Sequence, residues 1–161
     1  MSEIDRIIDE LQREHGGDPW HGSPLLGILE GVTADQAAAT PLPGAHSIWE
    51  LVLHIVGWKG EVRRRLSGAP AGDPEEGDWP AVGAPTAERW DDARARLQKA
   101  HEALLAAVRQ VPEPRLYEAT NDPRNPPLGT GVSYYILLHG IVQHDVYHSG
   151  QIALLKKAVT L

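Results

Sequence analysis

Apolar residues recur at helical spacing along most of the chain, and no stretch shows the strict alternation of a half-buried strand. Four long segments carry such a stripe, each bounded by helix start and stop signals. Their predicted spans are residues 2–14, 47–66, 86–111 and 133–158. Shorter helical segments are predicted at 25–30, with Ser23 as N-cap and Pro24 first, and at 33–38. The pattern predicts an all-α protein.

Long connections follow the second and third of these helices. Segments 68–85 and 112–132 are rich in Pro and Gly, which do not support a helix interior. Ser47 and Glu50 form a capping-box pattern at the start of the second long helix. Four stripes are buried most simply around a common axis, so a single four-helix bundle spanning 1–161 is predicted. A loop of this length allows a crossover connection.

Composition excludes several classes of function. Acidic residues outnumber basic ones by 22 to 15, and the net charge of −7 opposes binding to nucleic acid. The chain has no cysteine, so disulfides, thiolate ligands and a cysteine nucleophile are excluded. The charged N-terminal segment lacks the apolar core of a signal peptide, and no run approaches the length of a membrane span. A cytoplasmic protein without membrane contact is expected.

His144 and His148 lie four residues apart in the last predicted helix and therefore share one face. That face is mostly apolar, so both imidazoles should point towards the core, where they need hydrogen-bond partners or a metal. His54 lies at the margin of the apolar face of the second long helix. If the two helices are neighbours, three imidazoles converge, as in an open catalytic zinc site. The alternative is that they are ordinary core or surface histidines.

Further residues are candidates for the surroundings of this site. Glu50 is favoured as a helix cap over a partner of His54, and Trp58 is predicted to be a pocket wall one turn beyond His54. Three more side chains either line the site or are solvated, namely Glu61, Tyr147 and Gln151. His21, in a loop, would have to reach a pocket at the end of the bundle. The other histidines have no partner at ligand spacing that shares a buried face, and they are expected to be structural or exposed: His15, His46, His101 and His139.

Two segments carry a resemblance to a known family. They are Ser-Ile-Trp-Glu-Leu-Val-Leu-His at 47–54, with Trp58 following, and His-Asp-Val-Tyr-His-Ser-Gly-Gln-Ile at 144–152. The chain resembles, over essentially its whole length, the DinB-like (YfiT-like) superfamily of four-helix-bundle metalloenzymes. The resemblance implies one divalent metal on His54, His144 and His148, an up-down-down-up bundle and a homodimer.

Some members of that superfamily transfer low-molecular-weight thiols such as bacillithiol or mycothiol, or act as thiol-dependent isomerases, and many have no established reaction. The leading hypothesis is a metal-dependent enzyme that activates a thiol or a water for attack on a small electrophilic substrate, with thiol transfer preferred by resemblance. A metal-dependent hydrolase and a non-catalytic bundle with a structural metal are the alternatives. Zinc or nickel is expected, although imidazole suits several divalent metals.

Overall fold

A computed structural model describes residues 1–123 and 132–160 of the chain. Helices account for its regular structure: α1 (Glu3–Gly16), α2 (Leu25–Leu29), α3 (Ala34–Ala38), α4 (Ile48–Leu66), α5 (Ala87–Val108), a 3-10 helix (Glu113–Tyr117) and α6 (Tyr134–Thr160). Within the described ranges, β pairing is limited to an isolated bridge between Ala119 and Ser133. The predicted all-α class is confirmed. No helix in those ranges combines the length and apolar character needed to cross a membrane.

Local capping explains where the helices begin. Ser47 and Glu50 form the predicted capping box of α4, and each side chain bonds the backbone N–H of the other. The same reciprocal arrangement starts α3 at Thr33. The prediction for α2 was wrong by one residue: Pro24, not Ser23, occupies the N-cap, and no side chain bonds the first turn there. Proline tolerates this position because its nitrogen has no hydrogen to satisfy.

Buried apolar side chains form two clusters along the bundle. The first contains α2, α3 and residues 48–55 of α4, 90–97 of α5 and 152–155 of α6. The second contains residues 4–11 of α1, 62–66 of α4, 104–108 of α5 and 134–141 of α6. Between these positions lie buried polar side chains that we call the polar layer: Glu14, His15, Lys59, His101, Asp145 and Ser149. The core is therefore divided into two apolar halves by a polar level.

The clusters and side-chain contacts also give the helix directions. Both α4 and α5 begin in the first cluster and end in the second, so they run in the same direction. Helix α6 runs the opposite way, and α1 lies alongside it in the same direction, because Glu3 contacts His139 and Glu14 contacts Ser149. This is the arrangement that an up-down-down-up order requires. Parallel neighbours α4 and α5 need a connection that returns along the bundle.

Residues 68–85 make that return and pack along α4. The backbone N–H of Gly72 donates to Glu61 of α4. One turn earlier on α4, Gly57 contacts Pro74 of the loop, and a Cβ at position 57 would lie 3.0 Å from the proline ring. Glycine at 57 thus allows the close approach of this loop. The predicted loop at 68–85 is confirmed. Of the second predicted loop, residues 113–117 form the 3-10 helix, and residues 124–131 lie outside the described part.

Candidate metal centre

Three imidazoles from two helices meet beside the polar layer. His54 projects from α4, and His144 and His148 project from successive turns of α6. One nitrogen of each ring lies within 4.8 Å of one nitrogen of each of the other two rings. His54 and His148 are 5% and 7% exposed, whereas a quarter of the His144 side chain is accessible. The structure therefore brings together the three histidines that the sequence singled out, with one side open towards solvent.

Each ring has an oxygen acceptor at its Nδ1 atom. The Nδ1–H of His54 donates to the carbonyl oxygen of Asp78 at 2.8 Å. That of His148 donates to Oε1 of Gln151 at 2.7 Å, and that of His144 points at a carboxylate oxygen of Asp145 at 3.5 Å. Because a neutral imidazole carries a single N–H, these acceptors leave the Nε2 lone pairs of all three rings free. Fixing the tautomer in this way is what the surroundings of a metal-binding histidine do.

Two of these nitrogens lie close enough to share one cation. The Nε2 atoms of His54 and His144 are 2.9 Å apart. With both hydrogens on Nδ1, two lone pairs face each other at this distance and repel, and a cation between them removes the repulsion. Nitrogen ligands bind zinc at about 2.0–2.1 Å, so a small outward movement of the rings accommodates an ion. The cluster of His54, His144 and His148 can hold a metal ion.

Burial favours the neutral form of His54 and His148 by lowering the pKa of each ring. Desolvation lowers the pKa of His148 to about 4, and the nearby His144 and His54 rings act in the same direction, whereas the bond to Gln151 opposes them. Burial also lowers the pKa of His54, and its bond to the Asp78 carbonyl only partly offsets this effect. Protonation disfavours metal binding because it occupies the lone pair. At neutral pH the two buried ligands are therefore free of competing protons.

The loop at 68–85 covers the α4 side of the cluster. The Trp79 ring stacks on His54, with 4.0 Å between ring centroids and 8° between planes, and its other face stacks on His46 at 3.4 Å. The indole N–H of Trp58 donates to the carboxylate of Asp78 at 2.8 Å, which ties the loop to α4. Asp78 and Trp79 were missed by the sequence analysis. The available signal was a tryptophan in an otherwise Gly- and acid-rich loop, which says little about where the ring packs.

Behind the imidazoles, the polar layer contains a buried ion pair. The Lys59 ammonium donates to one carboxylate oxygen of Asp145, while the other oxygen faces His144, and neither side chain is exposed. Burial acts to raise the pKa of Asp145, but the attraction of Lys59, together with the hydrogen bonds from His144 and Lys59, outweighs it and holds the pKa below its ordinary value. The carboxylate that faces His144 is therefore ionised and fixed in position.

His15 and His101, which were expected to be structural or exposed, are both buried in the polar layer. Their rings stack with centroids 3.8 Å apart inside the bundle, and His15 Nε2 lies 2.9 Å from the amide oxygen of Gln98. Burial lowers the pKa of His101 to about 3, and the neighbouring His15 contributes. Wheel positions on α1 and α5 could not show this contact because it depends on how the two helices are aligned. The parallel stack keeps the in-plane lone pairs from converging on one ion.

The remaining candidates occupy several places. Gln151 contacts His148 directly, whereas the Tyr147 ring, 64% exposed, packs edge-on against His148 from outside. Glu50 is held at the α4 cap, and its second oxygen faces His46 rather than His54. Glu61 binds Arg64, Arg65 and the backbone of Gly72, so it anchors the loop and does not face the imidazoles. His21 is exposed and lies outside the histidine cluster.

Taken together, the chain is an all-α bundle with a three-histidine cluster that can hold a metal ion. A family model for the DinB superfamily matches residues 20–152, and the chain belongs to that superfamily. The matched range includes all three histidines. No curated protein and no solved structure matches the chain.

Proposed function

We propose that the protein binds one divalent metal, zinc or nickel, through His54, His144 and His148 and is a metal-dependent enzyme acting on a small electrophilic substrate. One observation carries the metal site: one nitrogen from each of three imidazoles lies within 4.8 Å of the others, while every Nδ1 faces an oxygen acceptor. Neutral ligands leave the ion its full charge. Such an ion supplies Lewis acidity that makes a water or a thiol a usable nucleophile near neutral pH.

The residues around the site have separate tasks in this proposal. The Asp78 carbonyl, Gln151 and the Asp145 carboxylate hold the three rings in their metal-binding tautomer and orientation. Trp79 shields one face of His54 from water, and the more exposed His144 lies on the side from which a substrate approaches. With three protein ligands, positions remain for a substrate group, as in catalytic zinc sites.

Transfer of a low-molecular-weight thiol is the preferred reaction. In it, the sulfur of the thiol forms a bond to an electrophilic carbon, the leaving group departs with its bonding electron pair, and the thiol proton passes to solvent. Its support is the resemblance to the superfamily alone, because some members of that superfamily transfer such thiols. The protein itself has no cysteine, so the sulfur must come from a substrate. If a water molecule is the nucleophile in place of the thiol, the reaction is a hydrolysis.

The metal site is tested by elemental analysis of protein purified without an affinity tag. We expect about one equivalent of metal in the wild type and little in His54→Ala. His139→Ala is the matched control, because His139 lies on α6 outside the cluster. Equal metal content in wild type and His54→Ala rejects the site.

The reaction class is tested by incubating the metal-loaded protein with an electrophile and several biological thiols. A metal-dependent rate with a thiol, lost in His54→Ala and kept in His139→Ala, supports thiol transfer. Turnover without any thiol indicates hydrolysis. If no reaction occurs and metal removal takes much of the folding stability with it, the ion has the structural role that ties α4 to α6.

A further inference from the structure

A cavity of about 330 Å³ lies next to the candidate metal centre, between the segment before α4 and the second half of α6. Its walls are largely aliphatic and consist of Leu42, Ala45, Leu51, Leu154 and Leu155. Among the residues that the structure describes, no carboxylate, lysine or arginine lines it. The volume is at the lower end of the range for small-molecule sites, which is about 300–1,000 Å³.

The two remaining polar side chains of the cavity connect it to the imidazoles. Gln151 lines the cavity and accepts the hydrogen bond from Nδ1 of His148 at 2.7 Å. His46 also lines it and stacks on Trp79, whose other face stacks on His54. The cavity is thus separated from His148 by the side chain of Gln151, and from His54 by the two stacked rings of His46 and Trp79.

The rim of the cavity exposes apolar side chains that a bound ligand would remove from contact with water. Leu154 is 60% exposed and Leu42 is 41% exposed, while Leu51 and Leu155 form a buried floor. Covering such side chains is favourable in proportion to the apolar area removed from water. A charged group placed there would lose part of its hydration, and no lysine, arginine or carboxylate among the described lining residues would compensate for that loss.

We propose that this cavity binds an uncharged aliphatic part of the substrate whose reactive end lies at the metal. The inference rests on the proposed function. It defines the electrophilic substrate as a small molecule with a neutral alkyl portion, rather than one with a charged or sugar-like portion. Shape and charge both favour this occupant: the walls supply apolar contact, and the polar groups are confined to the side facing the imidazoles.

The experiment uses linear alkyl hydroxamates, which bind metals through their head group, titrated into the metal-loaded protein by calorimetry. We expect the affinity to rise roughly fourfold for each added methylene from acetohydroxamate to hexanohydroxamate. Ala45→Phe, which fills the cavity from its exposed wall, should remove this dependence on chain length and leave acetohydroxamate binding unchanged. A wild-type affinity that does not depend on chain length, or an equal dependence in Ala45→Phe, overturns the proposal.

A second variant keeps the test independent of cavity filling. Leu154→Gln should weaken hexanohydroxamate about tenfold, whereas Ile136→Gln, a similarly exposed change on the same helix, should have no effect. Equal effects of the two variants count against the cavity. Sedimentation is measured in parallel, because a wild-type dimer that Leu154→Gln converts to monomer would assign this surface to a second copy of the chain and overturn the proposal.

Failure of the proposed metal site can be distinguished from failure of the cavity proposal. If the protein binds no metal, the proposed function fails, and the cavity is then tested with 1-hexanol on the metal-free protein by NMR. Shifts confined to the cavity residues in the wild type, and absent in Ala45→Phe, support the aliphatic site on its own. No shift in the wild type overturns it.

Discussion

Glu14 provides a test of the polar layer that does not involve the metal. Its side chain is 2% exposed; one carboxylate oxygen accepts a 2.7 Å hydrogen bond from Ser149, and the other lacks a partner among the described residues. Burial raises the pKa of Glu14 from 4.5 to about 7, and the neighbouring Asp145 carboxylate adds to this effect, against the attraction of Lys59. The folded protein therefore holds a proton on Glu14 over a pH range in which the unfolded chain releases it.

The sign of the effect on stability follows directly. Between the two pKa values the folded state binds more protons than the unfolded state, so this group makes stability fall as pH rises. The difference between 4.5 and about 7 corresponds to roughly 3 kcal/mol, which is fully lost above the folded-state pKa and fully recovered below the unfolded value. Glu14→Gln removes the charge and keeps an oxygen for Ser149.

We therefore expect Glu14→Gln to be more stable than the wild type by on the order of 3 kcal/mol at about pH 8, and equally stable near about pH 4. Urea unfolding of metal-free protein across this range measures the difference. The variant has to be compared with the wild type at each pH because other buried groups also make stability depend on pH. His101, with its lowered pKa, makes stability rise with pH. Glu10→Gln, an exposed change on α1, is the control and should shift stability little at any pH. A difference between Glu14→Gln and the wild type that does not vary with pH would refute the reasoning.

Three further changes probe the layer, the α4 start and the loop. Lys59→Met leaves the Asp145 carboxylate buried without its cation and should lower the free energy of unfolding by about 3–5 kcal/mol, whereas the double change with Asp145→Leu should recover most of that loss in urea unfolding. Ser47→Ala removes the side-chain bond to the N–H of Glu50 and should lower the thermal stability by about 1 kcal/mol, measured by calorimetry. Trp79→Ala uncovers one face of His54, so a chelator should remove bound metal severalfold faster in stopped-flow absorbance, and an unchanged rate would show that the ring does not shield the site.

Helix positions could be predicted well because their signals are local. Ser47 and Glu50 are three residues apart, and the bonds between them depend only on the backbone they cap. The convergence of the imidazoles was also within reach, because residues four apart on one helix share a face whatever surrounds them. His54 required the assumption that α4 and α6 are neighbours, which the sequence could not establish by itself.

The covering loop could not be predicted in the same way. Asp78 and Trp79 contact His54 because a chain segment without periodic structure returns along α4 and lies close to it at Gly57. Which residues of such a segment face the helix depends on the path of the whole connection, not on a repeat in its sequence. Gln151 could be placed near His148 because the two residues lie three positions apart on one helix. Asp78 could not be placed near His54 because no such spacing relates a loop residue to a helix residue.

The polar layer left a signal in the sequence that becomes clear only when the helices are aligned. Each apolar stripe is interrupted by a polar residue at the next helical position: Glu14 follows Leu11, Lys59 follows Ile55, His101 follows Leu97 and Asp145 follows Ile141. One such interruption is ordinary, because single polar residues often lie at a helix margin. Four interruptions at one level of the bundle place an ionised carboxylate against His144, at a cost in stability that an apolar core would avoid. In this bundle the interrupted stripes therefore coincide at the level next to the three imidazoles.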